Sequence, residues 1–284
     1  MPRPLLGLLA ALSLALSPGH AAVPTVPVPV FVLLPGDEGR ASLLGVWEGG
    51  RWLGDGNAAR RVRAGATYRV QGLSGPATTA RGGRAEYFGV PCENAFGVAL
   101  TPEVRPANFT VVTPTGVRTR PRPVTVLPTT GAVYREAVRA ELVRRGLPNP
   151  VVHLTRVVRA DLDGNGTDEV IVEASRFAER SGLFPPPTGQ PGDYSLLLLR
   201  QVVGGRVRTS VLGAEVVSKA YDPDSTEPMP LATLHALAGL ADLNGDGRME
   251  VLTFGAYYEG YGLTASEWTP GGGLKTRLET GCGA

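Results

Sequence analysis

The stretch "DLDGNGTDEV", residues 161–170, places four acidic side chains, one asparagine and two glycines within ten residues. A second stretch, "DLNGDGRMEV" at 242–251, repeats the arrangement 81 residues later. Runs of β-forming residues flank both stretches, such as "VVHLTRVVRA" before the first and "EVLTFGAYY" after the second. The repeat predicts two copies of one structural unit, in which an acidic loop joins two strands.

Each loop is numbered here from its first aspartate, and both copies carry oxygen-bearing side chains at positions one, three, five and nine. In the first loop these residues are Asp161, Asp163, Asn165 and Glu169, and in the second loop they are Asp242, Asn244, Asp246 and Glu250. Position seven holds Thr167 in the first loop and Arg248 in the second. We expect position seven to contribute its backbone carbonyl. Glycines at positions four and six favour a tight loop with positive φ angles.

This spacing predicts a metal site, because converging carboxylates need a cation. Two carboxylates about 4 Å apart repel by roughly 4 kcal/mol at an effective dielectric of about 20. Calcium takes six to eight oxygen ligands from carboxylates, amides, carbonyls and water. We therefore expect two structural Ca²⁺ ions, one in each loop. The alternative is a pair of metal-free turns, since Asp, Asn and Gly favour turns in any case.

The flanking sequence indicates which kind of calcium loop this is. An EF-hand needs a glutamate at position twelve and two flanking helices, but position twelve is Val172 in the first loop and Thr253 in the second. The motifs "DLDGNGTDEVIV" and "DLNGDGRMEVLT", with their neighbouring strands, resemble the calcium loops of FG-GAP and integrin-like β-propeller repeats over residues 150–284. The layout also resembles a group of exported bacterial proteins of undefined role.

The predicted fold class is mainly β. It comprises duplicated four-stranded, blade-like units with calcium-binding hairpin loops, a β-rich N-terminal region and one junction helix. The helix is predicted from the helical spacing of apolar residues after Thr130, which ends before Pro148 and Pro150. The expected segments are a signal peptide at 1–21, the β-rich region at 22–128, the junction helix at 129–148 and the duplicated β domain at 149–284.

Location and covalent structure follow from the N-terminus and the cysteines. An arginine, a run of thirteen apolar or small residues and a small-x-small site predict a secretory signal peptide cleaved after Ala21. The protein is then secreted, periplasmic or at the cell envelope, with no membrane span after cleavage. Its two cysteines, Cys92 and Cys282, are expected to pair, although two buried free thiols are the alternative.

The expected function is that of a non-catalytic binding or structural module, contacting an unknown protein or a polysaccharide. No nucleophile–base pattern accompanies the acidic loops, and a net charge near +2 argues against nucleic acid as a partner. The alternative is a secreted hydrolase whose catalytic residues are not recognisable. The stretches "WEGGRW" and "GAYYEGYG" suggest a carbohydrate platform, but we favour packing roles for their aromatic residues, which are Trp47, Trp52, Tyr257, Tyr258 and Tyr261.

Overall fold

The computed structural model describes residues 24–36, 39–180, 182–224, 226, 228–269 and 273–283. Strands make up 47% of the structure and helices 7%, which confirms the mainly β prediction. The predicted signal peptide at 1–21 lies outside the described residues. Within the described chain, no helix has the length and apolar character needed to cross a membrane.

The first part of the chain is a closed barrel with two short additional strands. Its elements are β1 (Val28–Leu33), β2 (Arg40–Glu48), β3 (Arg51–Leu53), helix α1 (Asp55–Ala59), β4 (Thr67–Gly72), β5 (Thr78–Gly82), β6 (Glu86–Tyr87), β7 (Phe96–Thr101) and β8 (Thr110–Pro114). Six strands pair in the cyclic order β1–β2–β7–β5–β4–β8 and back to β1. Strand β3 extends the sheet beside β2, and β6 extends it beside β7. This closure of the β-rich region was not predicted.

Strand β1 is apolar throughout because both of its faces are covered. Phe31 and Leu33 point into the barrel, where they pack with Tyr68 and Val112. Val30 and its alternating neighbours point outward into a second core, which is shared with the C-terminal strands. A strand buried on both sides has no solvent face, so it reads as a continuous apolar run.

The rest of the chain forms two antiparallel sheets and one longer helix. These elements are β9 (Thr125–Leu127), α2 (Ala132–Arg144), β10 (Leu154–Ala160), β11 (Glu169–Arg176), β12 (Tyr194–Val203), β13 (Arg206–Val216), β14 (Leu234–Ala241), β15 (Glu250–Tyr257), β16 (Gly260–Trp268) and β17 (Leu274–Gly283). One sheet has the order β13–β12–β11–β10–β9, and the other has the order β14–β15–β16–β17. In each sheet, four consecutive strands form an up-and-down meander.

The junction between the two parts differs from expectation in one respect. Helix α2 occupies most of the predicted segment 129–148 and buries Val138 and Leu142. Residues Thr125–Leu127 of the Pro-rich segment before it form β9, which pairs with β10 at the edge of the five-stranded sheet. A strand from the predicted region 22–128 therefore belongs to a sheet of the C-terminal part.

The molecule is stacked in layers, and the side chains alternate accordingly. Val157, Val172 and Leu196 of the five-stranded sheet pack against helix α2. The opposite face of the same sheet packs against the four-stranded sheet, with Val158 and Ile171 among the contacting residues. The other face of the four-stranded sheet lies on the barrel. The order of layers is therefore helix, five-stranded sheet, four-stranded sheet and barrel.

The predicted disulfide is confirmed. Cys92, in the loop between β6 and β7, is bonded to Cys282 of β17, 190 residues later. Among the described residues there is no free cysteine. The bond joins the barrel covalently to the edge strand of the four-stranded sheet.

Candidate metal centre

Each acidic loop joins the first two strands of a meander. The first loop connects β10 to β11 and is closed by the pairing of Ala160 with Glu169. The second loop connects β14 to β15 and is closed by the equivalent pairing of Ala241 with Glu250. Position nine is therefore the first residue of the outgoing strand in both copies, so its side chain is oriented by the sheet.

The loop glycines adopt the predicted backbone conformation. At position four, Gly164 has a φ of 80° and Gly245 a φ of 75°; at position six, Gly166 and Gly247 both have a φ of 85°. Residues with a β-carbon rarely adopt these angles. The positive φ angles at positions four and six let the side chains at the odd-numbered loop positions fold back over their own loop.

The same five hydrogen bonds hold both loops. The two carboxylate oxygens of position one accept from the backbone N–H groups of positions four and six, at 2.7–3.2 Å. Position three accepts from the N–H of position five, and position five accepts from the N–H of position seven. Position nine accepts from the N–H of position two, at 2.8 Å in the first loop and 2.7 Å in the second. The predicted ligand side chains thus all face their own loop.

In the first loop, three carboxylates converge. One oxygen each from Asp161, Asp163 and Glu169 lies within 4.8 Å of the other two. Burial, reinforced by the neighbouring aspartates, raises the pKa of Glu169 to about 7. Asp163 and Asn165 are also joined through the Asn165 amide, at 2.9 Å. Within the described residues, no other loop brings three such groups so close together.

The second loop is more deeply buried. Asp242 and Glu250 are both 0% exposed. Burial raises the pKa of Asp242 to about 6 and raises the pKa of Glu250 well above its usual range. Glu250 Oε2 accepts the bond from Leu243, but Oε1 has no hydrogen-bond partner among the described residues. A buried carboxylate oxygen without a donor costs free energy, so it is a group that a cation would satisfy.

The two loops lie side by side, and a segment of the chain passes between them. Met249 N–H in the second loop donates to the Leu162 carbonyl in the first, at 2.8 Å. Arg122 donates to the Asp161 and Leu162 carbonyls at 2.5 and 3.1 Å, and its guanidinium lies 3.4 Å from the Asp161 carboxylate. Burial dominates the raised pKa of Asp242, and the charge of Arg122 offsets a small part of that rise. Arg122 was not predicted as part of the site, because nothing in its Pro-rich surroundings indicates contact with residues about 40 positions away.

The remaining loop residues are placed as follows. The N–H groups of Thr167 and Arg248, at position seven, donate to position five, and the role of their carbonyls as ligands stays a prediction. Asp168, at position eight, forms an ion pair at 3.3 Å with Arg159 of β10, so its side chain points away from the inward-facing side chains.

Comparisons with known proteins do not add to this picture. No family model matches the chain, and no curated protein or solved structure matches it. The resemblance of the two loops to FG-GAP repeats therefore stays a prediction, and function has to be argued from the geometry of the loops.

Proposed function

We propose that the protein is an exported, non-catalytic binding or structural module in which two calcium ions, one in each acidic loop, hold the sheets together. The meanders β10–β13 and β14–β17 would be duplicated, blade-like units of the FG-GAP type. Localisation in the cell envelope or outside the cell is part of the proposal, because calcium is plentiful there and the chain begins with a signal-like segment.

The observation that carries the proposal is the inward orientation of the acidic side chains. In both loops, backbone N–H groups of the loop itself donate to the side chains at positions one and nine. Three carboxylates within 4.8 Å repel by about 3–4 kcal/mol for each pair at an effective dielectric of about 20. A divalent cation converts this repulsion into attraction, and Glu250 Oε1 would gain the partner that it lacks.

The donor set favours calcium over other divalent metals. Asp, Asn and Glu side chains supply only oxygen, which suits hard cations, whereas zinc and copper sites are typically built with histidine or cysteine. Magnesium demands near-octahedral geometry and usually keeps several waters. A loop that offers four side chains and a carbonyl in a flexible arrangement suits calcium better.

Burial favours a structural role over a catalytic one. A catalytic metal keeps a position open to substrate. In the second loop Asp242 and Glu250 are fully buried, and Asn244 is nearly so, which leaves little room for substrate at the ion. The first loop is more exposed, but it too joins consecutive antiparallel strands, so its ion would fix a hairpin.

Native mass spectrometry of the mature chain, with calcium and after chelation, tests the proposal. We expect two bound ions, and Asp161→Ala and Asp242→Ala should each remove one. Loss of the ions should also lower the melting temperature, because a ligand at 100 times its Kd stabilises the folded state by about 2.7 kcal/mol.

Asp168→Ala is the matched control, because it removes an acidic side chain from the first loop without removing a proposed ligand. This variant should still bind two ions. A wild-type mass and melting temperature that both ignore chelator would overturn the proposal in favour of metal-free turns.

A further inference from the structure

A cleft lies where the barrel meets the four-stranded sheet, near the second acidic loop. The β2–β3 hairpin forms one wall, and strands β16 and β17 form the other. The cleft has a volume of about 470 Å³. Its side chains combine aromatic rings with charged groups: Trp47, Arg51, Trp52, Glu267, Thr276 and Arg277.

The aromatic wall is a pair of tryptophans held by the hairpin. Trp47 and Trp52 are direct cross-strand partners on either side of the turn Gly49–Gly50. Their ring centroids are 4.8 Å apart, and the ring planes are inclined by 57°. Both side chains are half-buried, and Trp52 also packs against the core shared by barrel and sheet. The tryptophans therefore pack against each other and the core, as the sequence favoured, and they also line the cleft.

The polar wall is a chain of hydrogen bonds. Arg277 donates from Nε to Glu267 Oε2 at 2.6 Å. The other oxygen, Glu267 Oε1, accepts from Asn244 Nδ2 at 2.9 Å, and Asn244 is position three of the second loop. The Glu267 side chain is 17% exposed and that of Arg277 is 35% exposed. The Glu267 carboxylate and the Arg277 guanidinium therefore line the cleft together with the tryptophan pair and remain accessible.

From this arrangement we propose that the cleft binds a polysaccharide through one pyranose ring that carries equatorial hydroxyls. A pyranose with equatorial hydroxyls has an apolar face of axial C–H groups, which stacks on an aromatic ring, and an edge of hydroxyls, which pairs with fixed donors and acceptors. Ligand sites commonly combine aromatic walls with a few oriented polar groups. The Arg277 fork donates to hydroxyl oxygens, and Glu267 accepts from hydroxyl hydrogens.

The cleft is joined to the second loop, and this part of the inference rests on the proposed function. Calcium at the loop would fix Asn244, which in turn orients Glu267 and, through it, Arg277. Removing the ion frees the loop and lets the polar wall lose its alignment. Oligosaccharide binding is therefore expected to weaken when calcium is removed, without any contact between the ion and the sugar.

Isothermal titration of the mature protein with cellohexaose tests the cleft. The wild type should bind, and Trp52→Ala should lower the affinity about tenfold or more, whereas Trp52→Tyr, which keeps a stacking ring, should lower it less. Arg277→Ala should also weaken binding. Tyr258→Ala, which removes an exposed aromatic residue outside the cleft, is the matched control and should bind as the wild type does.

The outcomes separate this inference from the calcium proposal. Calcium ions seen by native mass spectrometry without any cellohexaose binding would overturn the cleft alone. A cellohexaose affinity that chelation leaves unchanged would support the cleft and overturn its coupling to the loop. Equal affinity of the wild type and Trp52→Ala, with both folded by melting temperature, would overturn the site.

Discussion

At the scale of single residues, the acidic loops concentrate buried negative charge. Glu169 and Glu250 occupy the same position in the two copies, and both are almost fully buried. Burial raises the pKa of each of these glutamates, and of Asp242 in the second loop. In the absence of a cation, the folded chain holds protons on these groups at pH values where the unfolded chain has released them.

This difference predicts an inverted pH dependence for the chelated protein. The pKa rises from 4.5 to about 7 for Glu169 and from 3.8 to about 6 for Asp242. The folded state therefore binds more protons than the unfolded state between about pH 4 and 7, and the free energy of unfolding falls as the pH rises through this window. With chelator, the melting temperature should drop by a few degrees from pH 5 to pH 8.

Calcium should cancel that drop, because the ligands must be deprotonated to bind the ion. Differential scanning calorimetry at both pH values, with calcium and with chelator, makes the measurement. Glu250→Gln should reduce the pH dependence of the chelated protein, since the amide does not titrate. A chelated protein that becomes more stable on going from pH 5 to pH 8 would contradict the assignment of these raised pKa values.

At the scale of elements, glycines set how closely the four-stranded sheet approaches the barrel. A β-carbon on Gly45 of β2 would lie 2.5 Å from Leu278 Cδ2 of β17 and 2.8 Å from the Leu53 carbonyl. A β-carbon on Gly239 of β14 would overlap Val111 of β8. The sheet and the barrel thus approach each other at two points where a side chain would not fit, which fixes the position of the cleft between them.

Gly45→Ala should therefore destabilise the fold. The Leu278 side chain can move, but the Leu53 carbonyl is backbone, so the added methyl group overpacks the interface at a cost of about 1–3 kcal/mol. Urea unfolding followed by tryptophan fluorescence measures the change. Gly116→Ala is the control, since a β-carbon there meets no atom within 4 Å, and its effect should stay within about 0.5 kcal/mol. Equal midpoints for the two variants would contradict the close approach.

At the scale of the whole molecule, the layers are joined by covalent and non-covalent contacts of long sequence separation. The Cys92–Cys282 bond spans 190 residues and fastens β17 to the barrel. The core between barrel and sheet combines residues such as Val32 and Leu263 from opposite ends of the described chain. The stability of the fold should therefore depend strongly on the disulfide, which limits the conformations open to the unfolded chain.

Replacing both cysteines by serine should lower the free energy of unfolding by about 2–5 kcal/mol, because the open chain has far more conformations to lose. Guanidinium unfolding of the oxidised wild type and the Cys92→Ser/Cys282→Ser protein measures the difference. Wild type treated with a thiol reductant should behave like the double variant. If all three proteins shared one unfolding midpoint, the bond would contribute nothing to stability.

The features that could be predicted from the sequence are those set by local residues. The mainly β class, helix α2 and the positive φ angles of Gly164 and Gly245 all follow from patterns within about fifteen residues. The turn at Gly204 and Gly205 is also of this kind. The pairing of the cysteines was predicted from their number and the expected export of the chain.

The features that were missed depend on contacts distant in sequence. Closure of the barrel requires β1 to pair with β8, and a short polar strand such as β5 ("TTARG") gives no clear signal. Arg122 lies between the two loops, and Asn244 donates a hydrogen bond to Glu267. Each of these contacts joins two segments whose sequences give no sign that they meet. Local propensity carries no information about such partners.

The 190-residue span of the disulfide also constrains how the protein is made. At ribosomal rates of about 5–20 residues per second, about 10–40 s pass between synthesis of the first cysteine and the second. Cys92 lacks its partner throughout that interval, because Cys282 is the only other cysteine in the chain. The intramolecular bond therefore cannot form before the last strand, β17, has been synthesised.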